Sequence, residues 1–210
     1  MGRLCARLRG LDRHTAVFFL AHHVSAPRLT YLLRTAPTFK AQYVLRTTDE
    51  TVCSTLEAVS NVVISPEAWV QASLPVKLGG LCVRLVAALA LPAYIASVQA
   101  AVLLIHTIDP GSTDGKPIAC LETAVCAFLE RTGLERHQLH VGDLASKQRV
   151  WDTLAATVVR DRLLNSANQI HRARLLAASQ PHTATWIQAL PVPSLGLHLE
   201  TTRPPASLLP

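Results

Sequence analysis

The amino-acid sequence predicts an all-α fold, an irregular helical bundle with a mobile, proline-rich C-terminal tail. Half of the 210 residues are hydrophobic but only 5% are aromatic. The core must therefore consist mainly of Leu, Ala and Val, a composition that favours helices over a β-sandwich. Apolar residues recur at helical spacing in several segments, and proline or glycine separates most of these segments. The hydrophobic content also excludes a chain that is disordered overall.

Four helices are predicted before the middle of the chain. They cover residues 10–24, 28–35, 38–64 and 67–73. Pro27 and Pro37 are expected to separate the first three, because proline lacks the backbone N–H and restricts the residue before it. Thr48 or Asp49 marks a possible break inside the third helix, and Ser65 is expected to cap the fourth.

Three further helical segments follow. They cover residues 81–105, 119–132 and 145–177. We expect a kink at Pro92 in the first, an end at Gly133 for the second, and a break at Asn165 or Asn168 in the third. The Gly/Ser/Asp-rich loop at 109–115 is the best internal boundary. The predicted division is therefore a helical region at 1–108, a second at 116–190 and an irregular tail at 191–210.

A turn between two of these helices is the most informative segment. Residues 69–84 read WVQASLPVKLGGLCVR, in which an apolar run stops at Pro75 and the next begins after Gly79 and Gly80. Proline prevents continuation of the helix, and adjacent glycines permit positive φ or a close backbone approach. Pro75, Gly79 and Gly80 are therefore predicted to form a structural turn.

The amino-acid sequence of this corner resembles that of a known protein family. An LP-x-x-x-GGL-x-x-R corner after a Trp-containing segment is similar to the region just beyond the polymerase palm in reverse transcriptases of non-LTR retrotransposons. Three more phrases resemble that family in the same order, namely YLLRTAP at 31–37, ARLLA at 173–177 and WIQALP at 186–191. Cys82 departs from the pattern, because the family commonly has Gly there, and the last 14 residues also depart from it.

The resemblance implies a thumb and post-thumb region without the palm. A reverse transcriptase holds two catalytic metal ions through clustered palm aspartates, usually including an adjacent pair. This chain has seven aspartates and no Asp-Asp pair. The expectation is therefore a non-catalytic fragment of, or relative of, an RNA-directed DNA polymerase, with no catalytic residues, no bound metal and no cofactor. Its expected partner is RNA or RNA–DNA duplex, contacted weakly and without sequence specificity.

The distribution of charge agrees with such a partner. Eight basic residues lie in residues 1–46 against Asp12 alone, whereas the middle of the chain is acidic, and 16 of the 20 cations are arginine. Guanidinium groups suit bidentate contact with phosphate. A solvated helix face would show the same charges. The resemblance and the charge together indicate four nucleic-acid-binding residues, Arg28, Arg34, Lys77 and Arg84.

Two other functions remain open from the sequence. Residues 85–105 carry no charge over 21 positions and are long enough to span a bilayer. Pro92 and Gln99 interrupt this segment and no aromatic belt flanks it, so membrane association is not expected. The alternatives are therefore a small integral membrane protein with one span at 85–105, and a helical interaction module without a nucleic-acid role.

The cysteines and histidines indicate structural roles. The five cysteines form no C-x-x-C motif, so buried free thiols in a reducing compartment are expected. Without a recognisable signal peptide, the expected location is intracellular, cytoplasmic or nuclear. His14, His22 and His23 lack nearby carboxylates other than Asp12 and are expected at the surface. The oligomeric state is left open.

Overall fold

The structure is a computed structural model that describes residues 1–109, 118–139, 145–183 and 185–196, and this part of the chain is helical without a strand. The all-α prediction is confirmed. The helices are α1 Gly2–Leu8, α2 Arg13–Phe19, α3 Ala26–Thr35, α4 Gln42–Ser60, α5 Pro66–Ser73, α6 Val86–Ile108, α7 Ala119–Thr132, α8 Gln148–Ser166, α9 Gln169–Ala178 and α10 Thr185–Gln188. A π-helix, Leu20–Val24, continues α2, and short 3-10 turns occupy Thr38–Lys40, Val76–Leu78, Arg136–Gln138 and Pro193–Leu195.

Three helix ends follow the predicted local chemistry. The Ser65 hydroxyl accepts a hydrogen bond from the Ala68 N–H at 3.2 Å, which caps the start of α5. Asn168 caps α9 by accepting from the His171 N–H at 2.9 Å, so the predicted break before α9 is confirmed. Gly133 ends α7 with φ +74°, a left-handed conformation that glycine adopts without cost.

The first two helices differ from the prediction. Helix α1 was not predicted, although Cys5 and Leu8 on one side of it are buried. The predicted helix at 10–24 begins instead after Asp12, which accepts from the Thr15 N–H at 2.8 Å, and passes into the π-helix. Pro27 does not end this helix but lies in the first turn of α3, where proline has no hydrogen bond to lose.

Helix α4 is continuous where a break was predicted. It runs from Gln42 to Ser60 without interruption at Thr48 or Asp49, and it ends at Asn61, whose φ is +56°. The predicted end at residue 64 is wrong, because Val63 lies beyond the helix with 92% of its surface exposed. The Asp49 carboxylate accepts hydrogen bonds from the first residues of a different helix, α6.

The start of α6 is set by tertiary contacts. The predicted start at residue 81 is wrong, because residues 81–85 run beside α5 in an irregular conformation. The Leu81 N–H donates to the Ala72 carbonyl at 3.0 Å, and the Cys82 N–H donates to the Leu74 carbonyl at 3.0 Å. The helix begins at Val86 and continues through Pro92 to Ile108.

Two hydrophobic clusters form the interior. The larger cluster joins α3, α6, α7 and α8, with Leu33, Ile95, Phe128 and Trp151 among its buried members. The smaller cluster joins α1, α2, the π-helix and the second half of α4. Helix α4 reaches both, because its Leu45 belongs to the larger cluster. Helices from both sides of the predicted boundary at 109–115 thus share one core, while the division into two helical regions stays a prediction.

Helix α6 has one buried half and one exposed half. Ala93, Ile95 and Ala96 have no exposed surface, whereas Leu104 and Ile108 are 60% and 76% exposed. Among the described residues, α6 is the one helix long and apolar enough to cross a membrane. Within its most apolar stretch of 18 residues, 47% is buried inside the fold. Length and composition alone therefore do not distinguish a span from a core helix here. Most of the predicted mobile tail, 197–210, lies outside the described residues.

Candidate nucleic-acid interface and the interior arginines

The predicted turn is a tight corner in which the two glycines have different roles. Gly79 has φ +86°, and a Cβ there would lie 2.8 Å from Leu175 Cδ1 and 2.9 Å from the Leu175 carbonyl oxygen. The φ of Gly80 lies outside the left-handed region, but a Cβ there would lie 2.1 Å from the Leu74 carbonyl oxygen. Pro75 precedes the 3-10 turn and is extended, with ψ 148°. The corner therefore requires glycine for conformation at one position and for space at the next.

Cys82, two residues after the corner, has φ +61°. This left-handed conformation costs a residue with a Cβ atom about 1–2 kcal/mol relative to the right-handed region. Burial also raises the pKa of the Cys82 thiol. The position at which the sequence departs from the resembling family is thus one whose backbone favours glycine.

The four predicted nucleic-acid-binding residues do not come together. Arg28 and Arg34 lie on α3, six residues and therefore about 120° apart around the helix. Both side chains are exposed, and Lys77 is exposed in the corner. Arg84 differs, because its side chain is only 13% exposed and is paired with Asp152 of α8. Its other terminal nitrogen donates to the Ser73 carbonyl at 2.9 Å. The structure therefore places three of the four at the surface and one in the interior.

The remaining cations of residues 1–46 share the exposure of Arg28 and Arg34. These six residues are Arg3, Arg7, Arg9, Arg13, Lys40 and Arg46. No ion pair joins any of the eight to a carboxylate within the described ranges. Arg9 and Arg13 line a polar cleft of about 310 Å³ between the α1–α2 turn and the end of α4. The N-terminal helices thus present a surface of positive charge; we call these eight residues the outer cations.

Inside the fold, Asp49 of α4 satisfies the start of α6. Its two carboxylate oxygens accept from the Val86 N–H at 2.7 Å and from the Ala87 N–H at 3.1 Å. Leu85, at the N-cap position of α6, supplies no side-chain acceptor. Burial raises the pKa of Asp49, and the two backbone hydrogen bonds oppose that shift. A carboxylate 37 positions earlier in the chain therefore caps the start of α6, as the adjacent Ser65 hydroxyl caps the start of α5.

Three arginines surround a cavity between α5, α6, α7 and α8. Arg84 reaches it with its partner Asp152, and Arg131 and Arg162 reach it from α7 and α8. Arg131 donates to the Ala87 carbonyl at 2.6 Å, and Arg162 donates to the Thr132 carbonyl at 2.6 Å, near the end of α7. Burial raises the pKa of Asp152, and the charges of Arg84 and Lys77 oppose it. We call Arg84, Arg131 and Arg162 the interior arginines because they line this cavity, although Arg131 and Arg162 are themselves solvent-exposed; the sequence indicated only the first of them.

The histidines were expected at the surface and the cysteines in the interior, and their observed positions agree with this only in part. His14 is buried with its ring 6.0 Å from that of Trp186, and the His22 ring stacks 4.6 Å from Phe18, so the expectation of surface positions is wrong for His14. Burial and the neighbouring His23 lower the pKa of His22, which favours its neutral form. All five cysteines are free, but Cys120 and Cys126 are exposed rather than buried. Within the described residues no three His, Cys, Asp or Glu side chains are grouped as metal ligands would be.

Comparison of this chain with models of protein families, with curated proteins and with solved structures gives no match. The resemblance to retroelement reverse transcriptases therefore depends on the sequence phrases alone.

Proposed function

We propose that this chain is a non-catalytic helical module, related to the thumb of a non-LTR retroelement reverse transcriptase, that binds duplex nucleic acid through its outer cations. The observation that carries the proposal is the exposure of all eight outer cations without an ion pair in the described residues. Unpaired, solvated cations can release counterions from a phosphate backbone when they contact it, which is the main source of non-specific affinity. The expected ligand is an RNA duplex or an RNA–DNA hybrid.

The geometry of Cys82 supports the family relationship. A positive φ at the position where the family commonly has glycine indicates that the corner keeps a glycine-type backbone even though the residue has changed. Gly79 and Gly80 support it in the same way, since neither accommodates a Cβ atom. The corner is therefore a specific backbone shape, and LP-x-x-x-GGL describes that shape in sequence.

One of the four residues that the sequence indicated does not belong to the proposed binding surface. Arg84 is already paired with Asp152 and bonded to Ser73, so it has little to offer a phosphate outside the fold. We retain Arg28, Arg34 and Lys77 and exclude Arg84 from the proposed surface. Because Arg28 and Arg34 lie about 120° apart on one helix, a single duplex lying along α3 would contact them through different phosphates.

Salt-dependent binding tests the proposal. Fluorescence anisotropy of a labelled RNA–DNA hybrid, measured at several salt concentrations, should give affinity that falls steeply with salt. Replacing Arg28 and Arg34 together by Ala should flatten the slope of log affinity against log salt by about two units, one for each phosphate contact. Two hybrids of unrelated sequence should respond equally, because phosphate contacts carry no base information.

The matched control removes the same charge elsewhere. Lys147 and Arg149 are exposed at the start of α8, and their double replacement by Ala should leave the slope close to that of the parent chain. Equal slopes for the parent and the Arg28/Arg34 variant would refute the proposed surface. Equal losses in both double variants would indicate a response to net charge alone.

The packing of α6 favours the helical module over the single-span alternative. In the first half of that helix, Ala93, Ile95 and Ala96 have no exposed surface and belong to the larger hydrophobic cluster. A bilayer would have to replace those protein contacts. Extraction of cell membranes with alkaline carbonate distinguishes the two functions, since we expect release of the chain into the supernatant and a spanning protein stays in the pellet.

A further inference from the structure

The cavity beside the interior arginines is apolar along most of its wall. It has a volume of about 190 Å³, is partly open to solvent, and is lined by residues of α5, α6, α7 and α8. Leu74, Leu91, Phe128 and Val159 contribute to its lining. Leu74, Leu91 and Phe128 are almost completely buried, so the wall is set by the packed core and not by a mobile loop. The cavity is thus a preformed apolar space rather than a gap between loops.

The charged groups around this space leave an excess of positive charge. Arg84 and Asp152 neutralise each other as an ion pair. Arg131 lies near the buried carboxylate of Asp49 and near a further cation, Arg46 of α4. Counting the lining residues Arg84, Arg131 and Arg162 against Asp152, and against Asp49 beside Arg131, gives three positive and two negative charges, an excess of one. A ligand that enters the cavity without negative charge would leave this excess uncompensated.

The interior arginines also keep unused donors. A guanidinium carries five N–H groups. Arg131 uses one terminal nitrogen for the Ala87 carbonyl, and Arg162 uses one for the carbonyls at the end of α7. Arg162 forms no ion pair with a described carboxylate. Its remaining donors suit a bidentate contact with a carboxylate.

Volume limits the apolar part of such a ligand. An engineered apolar cavity of about 150 Å³ holds one benzene ring, whereas drug-sized ligands occupy roughly 300–1,000 Å³. At about 190 Å³, this cavity accommodates a single ring with a small substituent.

We propose that the cavity between α5, α6, α7 and α8 binds a small aromatic carboxylate, with the ring against the apolar wall and the carboxylate on Arg162. This site is separate from the outer cations and does not depend on nucleic-acid binding. Inorganic phosphate would compensate the positive charge but would gain nothing from contact with the apolar wall. A neutral aromatic molecule would fill the space but leave Arg162 without an anion.

A pair of isosteric probes tests the site in the full chain. Titration of para-fluorobenzoate, followed by fluorine NMR, should show saturable binding. The neutral para-fluorobenzamide should bind at least about tenfold more weakly, as expected for loss of a charge-assisted hydrogen bond. Equal affinity for the two probes, or no saturation by the benzoate up to about 10 mM, would overturn the proposal.

Two substitutions locate the binding. Arg162→Gln should weaken the benzoate by about tenfold and leave the benzamide unchanged. Ala155→Leu adds three carbon atoms to a residue that lines the cavity and should weaken both probes. Arg136→Gln removes a cation that is paired with Glu122 elsewhere and should change neither affinity. Benzoate binding that is unaffected by both Arg162→Gln and Ala155→Leu would contradict this site.

Circular dichroism of each variant gives the necessary check of folding. If the Arg162→Gln variant unfolds because the Thr132 carbonyl loses its hydrogen-bond donor, the Arg162→Lys variant is tested in its place. Lysine keeps the charge but cannot form the planar bidentate contact, so a loss of benzoate affinity is again expected. The comparison of the two probes on the parent chain decides the proposal independently of either variant.

Discussion

The outer cations and the interior arginines differ in their hydrogen-bond and ion-pair partners rather than in the sign of their charge. Arg28 and Arg34 extend into solvent from α3, without a carboxylate partner in the described residues. Arg84, Arg131 and Arg162 donate to carbonyls or to a carboxylate of other segments. The first group is available to a phosphate backbone, whereas the second group joins helices. The number of arginines in a segment therefore says little about binding until their partners are known.

The interior group belongs to a wider set of polar links around α6. Asp49 holds the start of this helix, Arg131 donates to the carbonyl of Ala87 in its first turn, and the Arg84–Asp152 pair joins the preceding segment to α8. The Asp49 link is buried and the other two are partly buried, so removal of one partner leaves the other with poor access to a replacement from water. Substitutions in this set should reduce stability, and substitutions of outer cations should not.

The largest loss of stability is expected for Asp49→Ala. This change leaves two buried N–H groups of α6 without an acceptor and should lower the free energy of unfolding by about 3 kcal/mol. Asp49→Asn keeps one hydrogen-bond acceptor and avoids the burial of a charge. The free energy of unfolding should therefore decrease by less than in Asp49→Ala. Urea unfolding followed by circular dichroism measures both.

The neighbouring residue supplies the control for Asp49. Glu50 is an exposed acid on the same helix, and Glu50→Ala should change the free energy of unfolding by no more than about 0.5 kcal/mol. Similar effects of the two substitutions would show that Asp49 acts only through its charge and not through its hydrogen bonds.

The next largest loss is expected for Arg84→Ala. It leaves Asp152 half-buried without its partner and the Ser73 carbonyl without a donor, which should cost about 2 kcal/mol. Replacing Asp152 by Ala as well should restore about 1 kcal/mol, because no unpaired carboxylate then remains. The double-mutant cycle is measured by urea unfolding, and strictly additive losses would contradict a direct pairing.

A modest gain is expected for Cys82→Gly. Glycine adopts φ +61° without the cost to a Cβ atom, so the free energy of unfolding should rise by about 0.5–1 kcal/mol after the entropy of glycine in the unfolded chain is subtracted. Cys53 lies inside α4, where glycine is a poorer helix former than cysteine by roughly 0.3 kcal/mol, so Cys53→Gly should instead lower the free energy of unfolding. Thermal unfolding of both variants distinguishes the corner from a general response to loss of cysteine.

The smallest effect on stability is expected for the outer cations. The Arg28→Ala, Arg34→Ala double variant should change the free energy of unfolding by less than about 0.5 kcal/mol while it flattens the salt dependence of duplex binding. Urea unfolding of the same protein preparation provides the comparison. A loss above about 1 kcal/mol would move these two residues into the structural group.

Local signals explain what the sequence predicted correctly. Ser65, Gly133 and Asn168 mark helix ends because each acts on the nearest turn of its own helix. Asp49 shows the limit of this reasoning, since its oxygen atoms bind N–H groups 37 and 38 positions later and no local pattern records that distance. Arg131 and Arg162 were missed for the same reason, because in the sequence they look like ordinary solvated positions of α7 and α8. The unequal halves of α6 were also hidden, because the apolar residues of its exposed end are the same types as those of its core.

The contact between Asp49 and the start of α6 also has a consequence for the order of folding. Without its own cap, and with Pro92 inside it, α6 has weak local support as an isolated helix. Its first turn gains acceptors only after α4 has docked, which requires closure of a loop of 37 residues before the hydrogen bonds form. Helices α4 and α6 should therefore become ordered together in the folding transition state. A ribosome-bound chain that has exposed α4 but not yet α6 would lack the larger hydrophobic cluster, to which α6 contributes most of the residues.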